Sequence, residues 1–308
     1  MILVLAGGVG AAKYLAGLKR AVDEADITVI SNTGDDALIH SLHVSPDIDS
    51  VIYTLGNISN PETGWGIKDD TWNVMNALNR LGGDSWFNLG DKDIATHFYR
   101  TDRLNAGATL SEVTSELALC YNVKATIIPM SDSKVSTKII TAEDGELDFQ
   151  DYFVKYKTKK AVTDIVYSGS EFAAPIKDVD KLFDQASAIV IAPSNPFLSI
   201  GPILAILPYK KLLEKRRDKV ICISPIVGGR SLKGPLKDIM CSLGIEPTVF
   251  SIAKYYESLA SKIVIDFRDE SYVGNIKSLS MTPILCDSVM TDAQKAEGLA
   301  RISIEGIL

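Results

Sequence analysis

The sequence predicts an α/β fold: a Rossmann-like, doubly wound and mostly parallel sheet that carries a β-rich insertion. Three observations predict it. Short β-branched runs alternate with helical patterns from the first residues onward. Residues 188–191 and 219–224 are near-continuous apolar runs, the texture of central parallel strands covered on both faces. A glycine-rich loop, Ala6-Gly7-Gly8-Val9-Gly10, directly follows the first apolar run and opens a helical pattern.

Taken in order, residues 2–5 form a strand, and 11–25 a helix through Leu15, Leu18 and Val22. Residues 27–30 are the next strand, and the β-branched run at 50–55 predicts a third. Helical spacing returns over 68–81, through Val74, Leu78 and Leu81, and again over 92–104 and 111–120. A Ser-x-x-Thr start at Ser111 only partly resembles a capping box. From Lys124 the texture is strand-like, with runs at 124–128, 135–141, 152–157 and 165–167 and a hairpin turn at Glu143-Asp144-Gly145-Glu146. After the two apolar strands, residues 264–267 and 284–285 read as late strands and 292–306 as a closing helix. The expected organisation is a nucleotide-binding core of residues 1–123 and 176–308, interrupted by the insertion at 124–175.

Totals narrow the class. The 308 residues are 46% hydrophobic and 23% charged, which suits a packed globular chain. A net charge of −7 argues against a dedicated nucleic-acid binder. No stretch approaches the ~20 apolar residues of a membrane span, and the opening apolar run, with no basic residue before it, is too short for a signal segment. The four cysteines are far apart with no CxxC spacing, so neither a disulfide framework nor a zinc site is expected, and a reducing cytoplasm is the simpler setting.

Ligands of open α/β sheets sit beyond the carboxyl ends of the strands. Five loops there carry polar chemistry. The glycine loop presents free N–H groups to an anion, but Lys13 holds the third glycine place of a dinucleotide fingerprint, and the Gly-Lys-Ser/Thr end of a P-loop is missing. Asn32 stands where a NAD site has an acid, with Asp35 and Asp36 in a glycine turn after it. Adjacent loop carboxylates suit Mg²⁺, which takes few protein ligands; an Asx-rich turn with solvated acids is the bland alternative. His40, His43, Asp47 and Asp49 follow closely, without zinc spacing. The third group runs from Gly64-Trp65-Gly66 to Trp86-Phe87-Asn88-Leu89-Gly90-Asp91, and Asp93, His97 and Arg100 share a helix face beyond it. Here Trp65, Trp72, Trp86 and Phe87 offer surface for a planar ring, or are simply core. The last two loops are Pro193-Ser194-Asn195-Pro196 and the Gly228-Gly229 turn, near which Arg230 or Lys233 suits a phosphate.

Together these strings resemble the 2-phospho-L-lactate transferase (CofD-like) family. The resemblance rests on GGVGAAK at 7–13, NTGDD at 32–36, His43 to Asp49, GWG at 64–66, LGDKDIATH at 89–97, MSD at 130–132, PSNPFLSIGPIL at 193–204 and SPIVGGRSLKGP at 224–235. It implies transfer of a phospholactyl or phosphoenolpyruvyl group from a guanosine-diphospho-activated donor to the ribityl hydroxyl of the deazaflavin Fo, with GMP leaving. It also implies Mg²⁺ as cofactor and a homodimer. Carried onto this chain, Gly7, Gly8, Gly10, Ser194, Asn195, Gly228 and Gly229 would cradle the guanosine diphosphate, with Asn32 and Lys233 in the same set. Asp35, Asp36 and Asp49 would serve the metal; Asp49 and Asp36 would serve the attacking hydroxyl; Asn88 and Asp91 would border the deazaflavin. The alternatives are a YvcK-like regulatory protein that binds a nucleotide sugar, an NAD-dependent oxidoreductase, and a scaffold without chemistry.

Overall fold

A computed structural model describes residues 1–83, 86–156, 158, 160–231 and 234–308. Strand β1 (Ile2–Ala6) enters the interior and α1 (Gly8–Ala21) follows it directly. Next come β2 (Ile27–Ser31), a small hairpin of β3 (Ala37–Ile39) and β4 (Leu42–Val44), and then α2 (Pro46–Leu55), α3 (Asn73–Arg80), α4 (Asp91–Asn105) and α5 (Leu110–Cys120). Strand β5 (Thr126–Pro129) precedes an antiparallel set of β6 (Ser136–Thr141), β7 (Gly145–Asp148) and β8 (Val162–Ser168). The remaining strands are β9 (Ala188–Ile191), β10 (Val220–Ile223), the short pair β11 (Ile226–Val227) and β12 (Arg230–Ser231), β13 (Lys262–Asp266) and β14 (Thr282–Cys286).

Seven strands form one sheet in the order β14-β13-β10-β9-β1-β2-β5, with every neighbour parallel. This is the α/β architecture the sequence predicts. Side chains of β1 sort by the two-residue period of a strand. Ile2, Val4 and Ala6 pack on the face covered by α1, α2, α5 and the last helix (Ala293–Glu305); Leu3 and Leu5 pack on the face covered by the helices at Tyr209–Lys215 and Val249–Tyr256. Both faces are therefore core, which is why the central strands read as unbroken apolar runs. From β1 the chain steps one way to β2 and β5; from β9 it steps the other way to β10, β13 and β14. The reversal leaves a crevice beyond the ends of β1 and β9, where ligands of such sheets bind.

Several local expectations differ from what forms. The run at 50–55 is not a strand but the end of α2. Pro46 at the first helical position, Asp47 and Asp49 in the first turn, and buried Ile48, Val51, Ile52 and Leu55 at helical spacing outweigh its β-branched residues. The capping box of α5 is Thr109 with Glu112, two residues ahead of the Ser111 start. Strand β5 pairs with β2 at the edge of the main sheet rather than with the antiparallel set. The segment read as a strand at 152–157 is a wide helical turn, Asp151–Lys155, as far as it is described. Among the described residues, no single helix is long and apolar enough to cross a membrane.

Candidate active site

A cleft of about 910 Å³ lies over the crevice between β1 and β9. Its floor is the glycine loop. Gly8 has φ +73°, in the region that glycine alone adopts readily, and turns the chain into α1. Gly10 lies so close to the next loop that a Cβ there would stand 2.3 Å from the Pro193 carbonyl oxygen. The two loops are also tied by Ser194, whose hydroxyl donates to the Gly7 carbonyl at 2.8 Å. Asn195 accepts from the N–H groups of Phe197 and Leu198 and so starts the turn at Pro196–Ile200. Gly7, Gly8, Gly10, Ser194 and Asn195 thus all line the cleft, with two of their polar side chains already engaged in building it.

Four carboxylates gather beside this floor from the end of β2 and the first turn of α2. Asp47 accepts from the Gly8 N–H at 2.7 Å and from the Asn32 amide at 2.9 Å. Asn32 is fully buried and also reaches the Leu198 carbonyl and the Gly34 N–H, so it ties loops together behind the cleft. Asp36 accepts from the Ser45 hydroxyl at 2.7 Å and sits behind the lining, whereas Asp35, Asp47 and Asp49 face the cleft. Asp35 Oδ1 and Asp36 Oδ1 are shut off from solvent without a hydrogen-bond partner. Burial pushes Asp35 well above the usual carboxylate range, and the charges of Asp47 and Asp36 add to it. Burial likewise raises Asp36, and raises Asp47 to about 6 against the hydrogen bonds from Asn32 and Gly8.

Asp49 has a different setting. Both of its oxygens are held by the guanidinium of Arg100, a side chain with no exposed surface. Arg100 Nη1 lies 3.2 Å from His97 Nδ1, and since a guanidinium only donates, this contact assigns the ring proton to Nε2, 3.2 Å from Asp93 Oδ1. The Tyr53 hydroxyl donates to that same oxygen at 2.7 Å. Burial would raise Asp93, but its contact with His97, then those with Tyr53 and Arg100, hold it below the usual carboxylate range. Burial, followed by the Arg100 charge, drops His43 to about 4. A polar seam between α2 and α4 therefore backs the cleft, and the helix face shared by Asp93, His97 and Arg100 is its spine.

Asp91 and the Gly228-Gly229 turn lie elsewhere. Asp91 accepts from the N–H groups of Asn73 and Val74 at 3.1 and 3.0 Å and from Thr71, and so caps α3. In return Asp70 accepts from the N–H groups of Lys92 and Asp93 at 2.8 and 3.2 Å and caps α4. These bonds, the one from Thr71 first, bring Asp91 down to about 2. Its share of stability is thus present above the unfolded value near 3.9 and lost as pH falls through about 2. Asp91→Ala is expected to speed hydrogen exchange at the Asn73 and Val74 amides and to lower the melting temperature slightly; unchanged exchange would contradict the capping role. Gly228 donates to Asp269 at 2.9 Å in the turn between β11 and β12, and neither glycine lines the cleft. Lys233 lies outside the described residues.

The far wall of the cleft is aromatic. Trp65, Trp86, Phe87 and Asn88 line one side, while Trp72 packs edge-on against Trp65 at 6.2 Å and stays out. Phe149 and Phe153 stack at 5.5 Å and 14° on the other side. These two, with Gln150 and the loop Ser288–Thr291 after β14, were not singled out in the sequence. Phe149-Gln150 falls in a stretch with no periodicity to flag it, and Ser288 follows a strand too short to stand out. Asp47 carried a signal, two residues ahead of Asp49 and just inside a proline-started helix.

Among the described residues, no three His, Cys, Asp or Glu side chains are arranged to hold a metal by themselves. Mg²⁺ asks for less, since it keeps waters and takes one or two carboxylates beside substrate phosphates. Asp35, with its partnerless oxygen, and its neighbour Asp47 fit that requirement. Asp49, whose charge is already neutralised by the Arg100 guanidinium, does not.

The chain is similar to known proteins along nearly its whole length. The chain is 39% identical to the phosphoenolpyruvate transferase of Streptomyces griseus, over 99% of this chain and 97% of that one. It is 37% identical to the 2-phospho-L-lactate transferase of Methanocaldococcus jannaschii, again over 99% and 97%. A crystal structure of protein BH3568 from Bacillus halodurans shares the fold, with a TM-score of 0.65, 14% identity and 98% of each chain covered. Residues 2–303 match the family described as 2-phospho-L-lactate transferase CofD, and the chain, a transferase, belongs to that family.

Proposed function

We propose that this protein moves a phospholactyl or phosphoenolpyruvyl group from a guanosine-diphospho-activated acid, such as lactyl-2-diphospho-5'-guanosine, to the deazaflavin Fo, yielding coenzyme F420-0 and GMP. One observation carries the reading: a single cleft joins a phosphate-type floor to an aromatic wall, with the carboxylates between them. The names of the relatives supply the acid.

In the reaction, the ribityl hydroxyl oxygen attacks the phosphorus that carries the acid. The bond from that phosphorus to the bridging oxygen breaks, and GMP leaves with the electron pair. Positioning and charge neutralisation do most of such work. The N–H groups of the first turn of α1 beyond Gly8, whose own N–H is held by Asp47, would face the diphosphate. Asp35 and Asp47 would hold Mg²⁺, which when bound offsets the charge of the phosphate oxygens. Asp49 and Arg100 keep the α2–α4 seam in register behind them, and Asp36 buttresses the Asp35 turn through Ser45. The cleft carboxylates are also the groups within reach to take the hydroxyl proton. Trp65, Trp86 and the Phe149–Phe153 pair give the planar deazaflavin a surface to stack on. The protein works as a homodimer in the cytoplasm on this reading.

The test is incubation of the protein with Mg²⁺, Fo and each candidate donor in turn. GMP release with one donor, dependent on Fo and abolished by chelation, is the expected result. Tight binding of a UDP-sugar with no GMP release from any donor would overturn the proposal in favour of a YvcK-like regulator.

A further inference from the structure

Two segments from far away in sequence reach the turn that carries Asp35. Gln150 is buried, with 7% of its surface exposed, yet it lines the cleft. Its side-chain amide donates to the Asp35 carbonyl at 3.0 Å, across 115 residues of chain. One residue earlier, the Gly34 carbonyl accepts from the Thr137 N–H at 2.7 Å, at the start of β6. Successive carbonyls of the Asp35 turn are thus held by β6 and by the connection from β7 to β8, and not by the main sheet.

We propose that Gln150 is a positioning residue for Asp35: the amide grips the main chain of the turn so that the carboxylate faces the cleft. The claim rests on the assignment of Asp35 to the metal and diphosphate given above. The chemistry of the side chain fits the task. A carbonyl needs a donor, and Gln150 supplies one without adding charge beside three carboxylates whose mutual repulsion is already felt at Asp35. Placement adds a consequence. Gln150 follows Phe149 directly and enters the turn that carries Phe153, so the aromatic wall and the Asp35 turn are joined through this one residue. A ring pressing on the Phe149–Phe153 pair bears on the same segment that fixes Asp35.

The test compares Gln150→Met, Gln150→Glu and Asp35→Asn with the wild type. Methionine keeps volume and loses the donor; glutamate keeps shape but sets an acceptor and a negative charge against the carbonyl. Mn²⁺, a paramagnetic stand-in for Mg²⁺, is titrated into each protein with GDP present and Fo absent, and bound metal is read by electron paramagnetic resonance. Circular dichroism confirms the fold of each variant. Gln150→Met is expected to weaken Mn²⁺ binding about tenfold, a difference of roughly 1.4 kcal/mol, and Gln150→Glu to weaken it more. In turnover assays, half-saturating Mg²⁺ should rise in parallel while KM for the guanosine donor changes less. Wild-type affinity in a folded Gln150→Met, with Asp35→Asn impaired, would overturn the role of Gln150 and leave the metal assignment standing. Undiminished affinity in Asp35→Asn would overturn the metal assignment and this inference with it. Should Gln150→Met not fold, Gln150→Glu decides, and wild-type affinity there overturns the proposal equally.

Discussion

Asp49→Ala is expected to destabilise the protein by roughly 3–5 kcal/mol, a large part of the stability of an ordinary domain. The reason lies less in Asp49 than in what it leaves behind. Arg100 has no exposed surface, and its guanidinium cannot shed its proton. Without Asp49 that charge keeps, as hydrogen-bond partners among the described residues, the His43 carbonyl at 3.3 Å and the His97 ring nitrogen, neither of them negative, while the Asp93 and Asp36 carboxylates act on it without a hydrogen bond. Arg100→Met should cost less, because a stranded carboxylate can take up a proton whereas a stranded guanidinium cannot lose one. In the double variant Asp49→Ala/Arg100→Met much of the single loss at Asp49 should return, a coupling that urea unfolding measures as a double-mutant cycle. An Asp49→Ala protein within about 1 kcal/mol of the wild type would show that the pair is not the tie described here. This expectation also bears on catalysis. Loss of turnover in an Asp49 variant would confound chemistry with the fold, so it cannot by itself assign Asp49 to the hydroxyl or the metal.

Asp35→Asn should do the reverse, abolishing function while sparing the fold. Asp35 is buried, its Oδ1 has no partner, and its neighbours are carboxylates. Asparagine has nearly the same shape and removes the charge. A fall in kcat on the order of 10²–10⁴ is expected, the range for losing a group that handles charge or a proton at the reacting centre. The melting temperature of the metal-free variant should equal or exceed that of the wild type. The sign follows from the direction of the shifts. Asp35 and Asp47 titrate above their unfolded value near 3.9, so the stability they contribute by holding protons is complete below that pH. It is lost as pH rises, for Asp47 through about 6. These carboxylates therefore take stability from the metal-free wild type between about pH 4 and pH 7, where His43, dropped to about 4, adds stability in the wild type and Asp35→Asn alike, and Mg²⁺ should restore what the carboxylates take. Asp35→Asn should flatten both responses. Scanning calorimetry of both proteins at pH 5 and 7.5, with and without Mg²⁺, measures this; a melting-temperature difference between wild type and Asp35→Asn that stays constant over that interval would contradict the buried-carboxylate picture.

Much of the fold could be read from local pattern. Parallel strands buried on both faces need apolar side chains at every position, so residues 188–191 announced a central strand without any partner in view. The loops after β1, β2 and β9 were legible for a related reason, since polar and glycine residues stand out directly behind such apolar strands. The misreadings were also local. The β-branched run in α2 suggests a strand, although proline at a helix start is the stronger constraint on the backbone. Asp91 was legible as an acid in a suggestive string, but a helix cap and a ligand contact look alike until the facing helix is placed.

What the sequence determined by itself was therefore the order of elements, the doubly wound sheet, and the kinds of chemical group standing at its carboxyl edge. What only the tertiary structure decided was which of those groups are free. Asp49 meets Arg100, 51 residues on; Asp47 closes on Gly8, 39 residues back; Asp35 is gripped through its main chain by Gln150. Each carboxylate has the same hydrogen-bonding capacity wherever it sits in the chain. Burial makes that capacity costly to leave unmet, so packing assigns most of them a structural partner. Of the two carboxylates that packing leaves with a partnerless oxygen, Asp35 and Asp36, only Asp35 lines the cleft, and there the chemistry is proposed to occur.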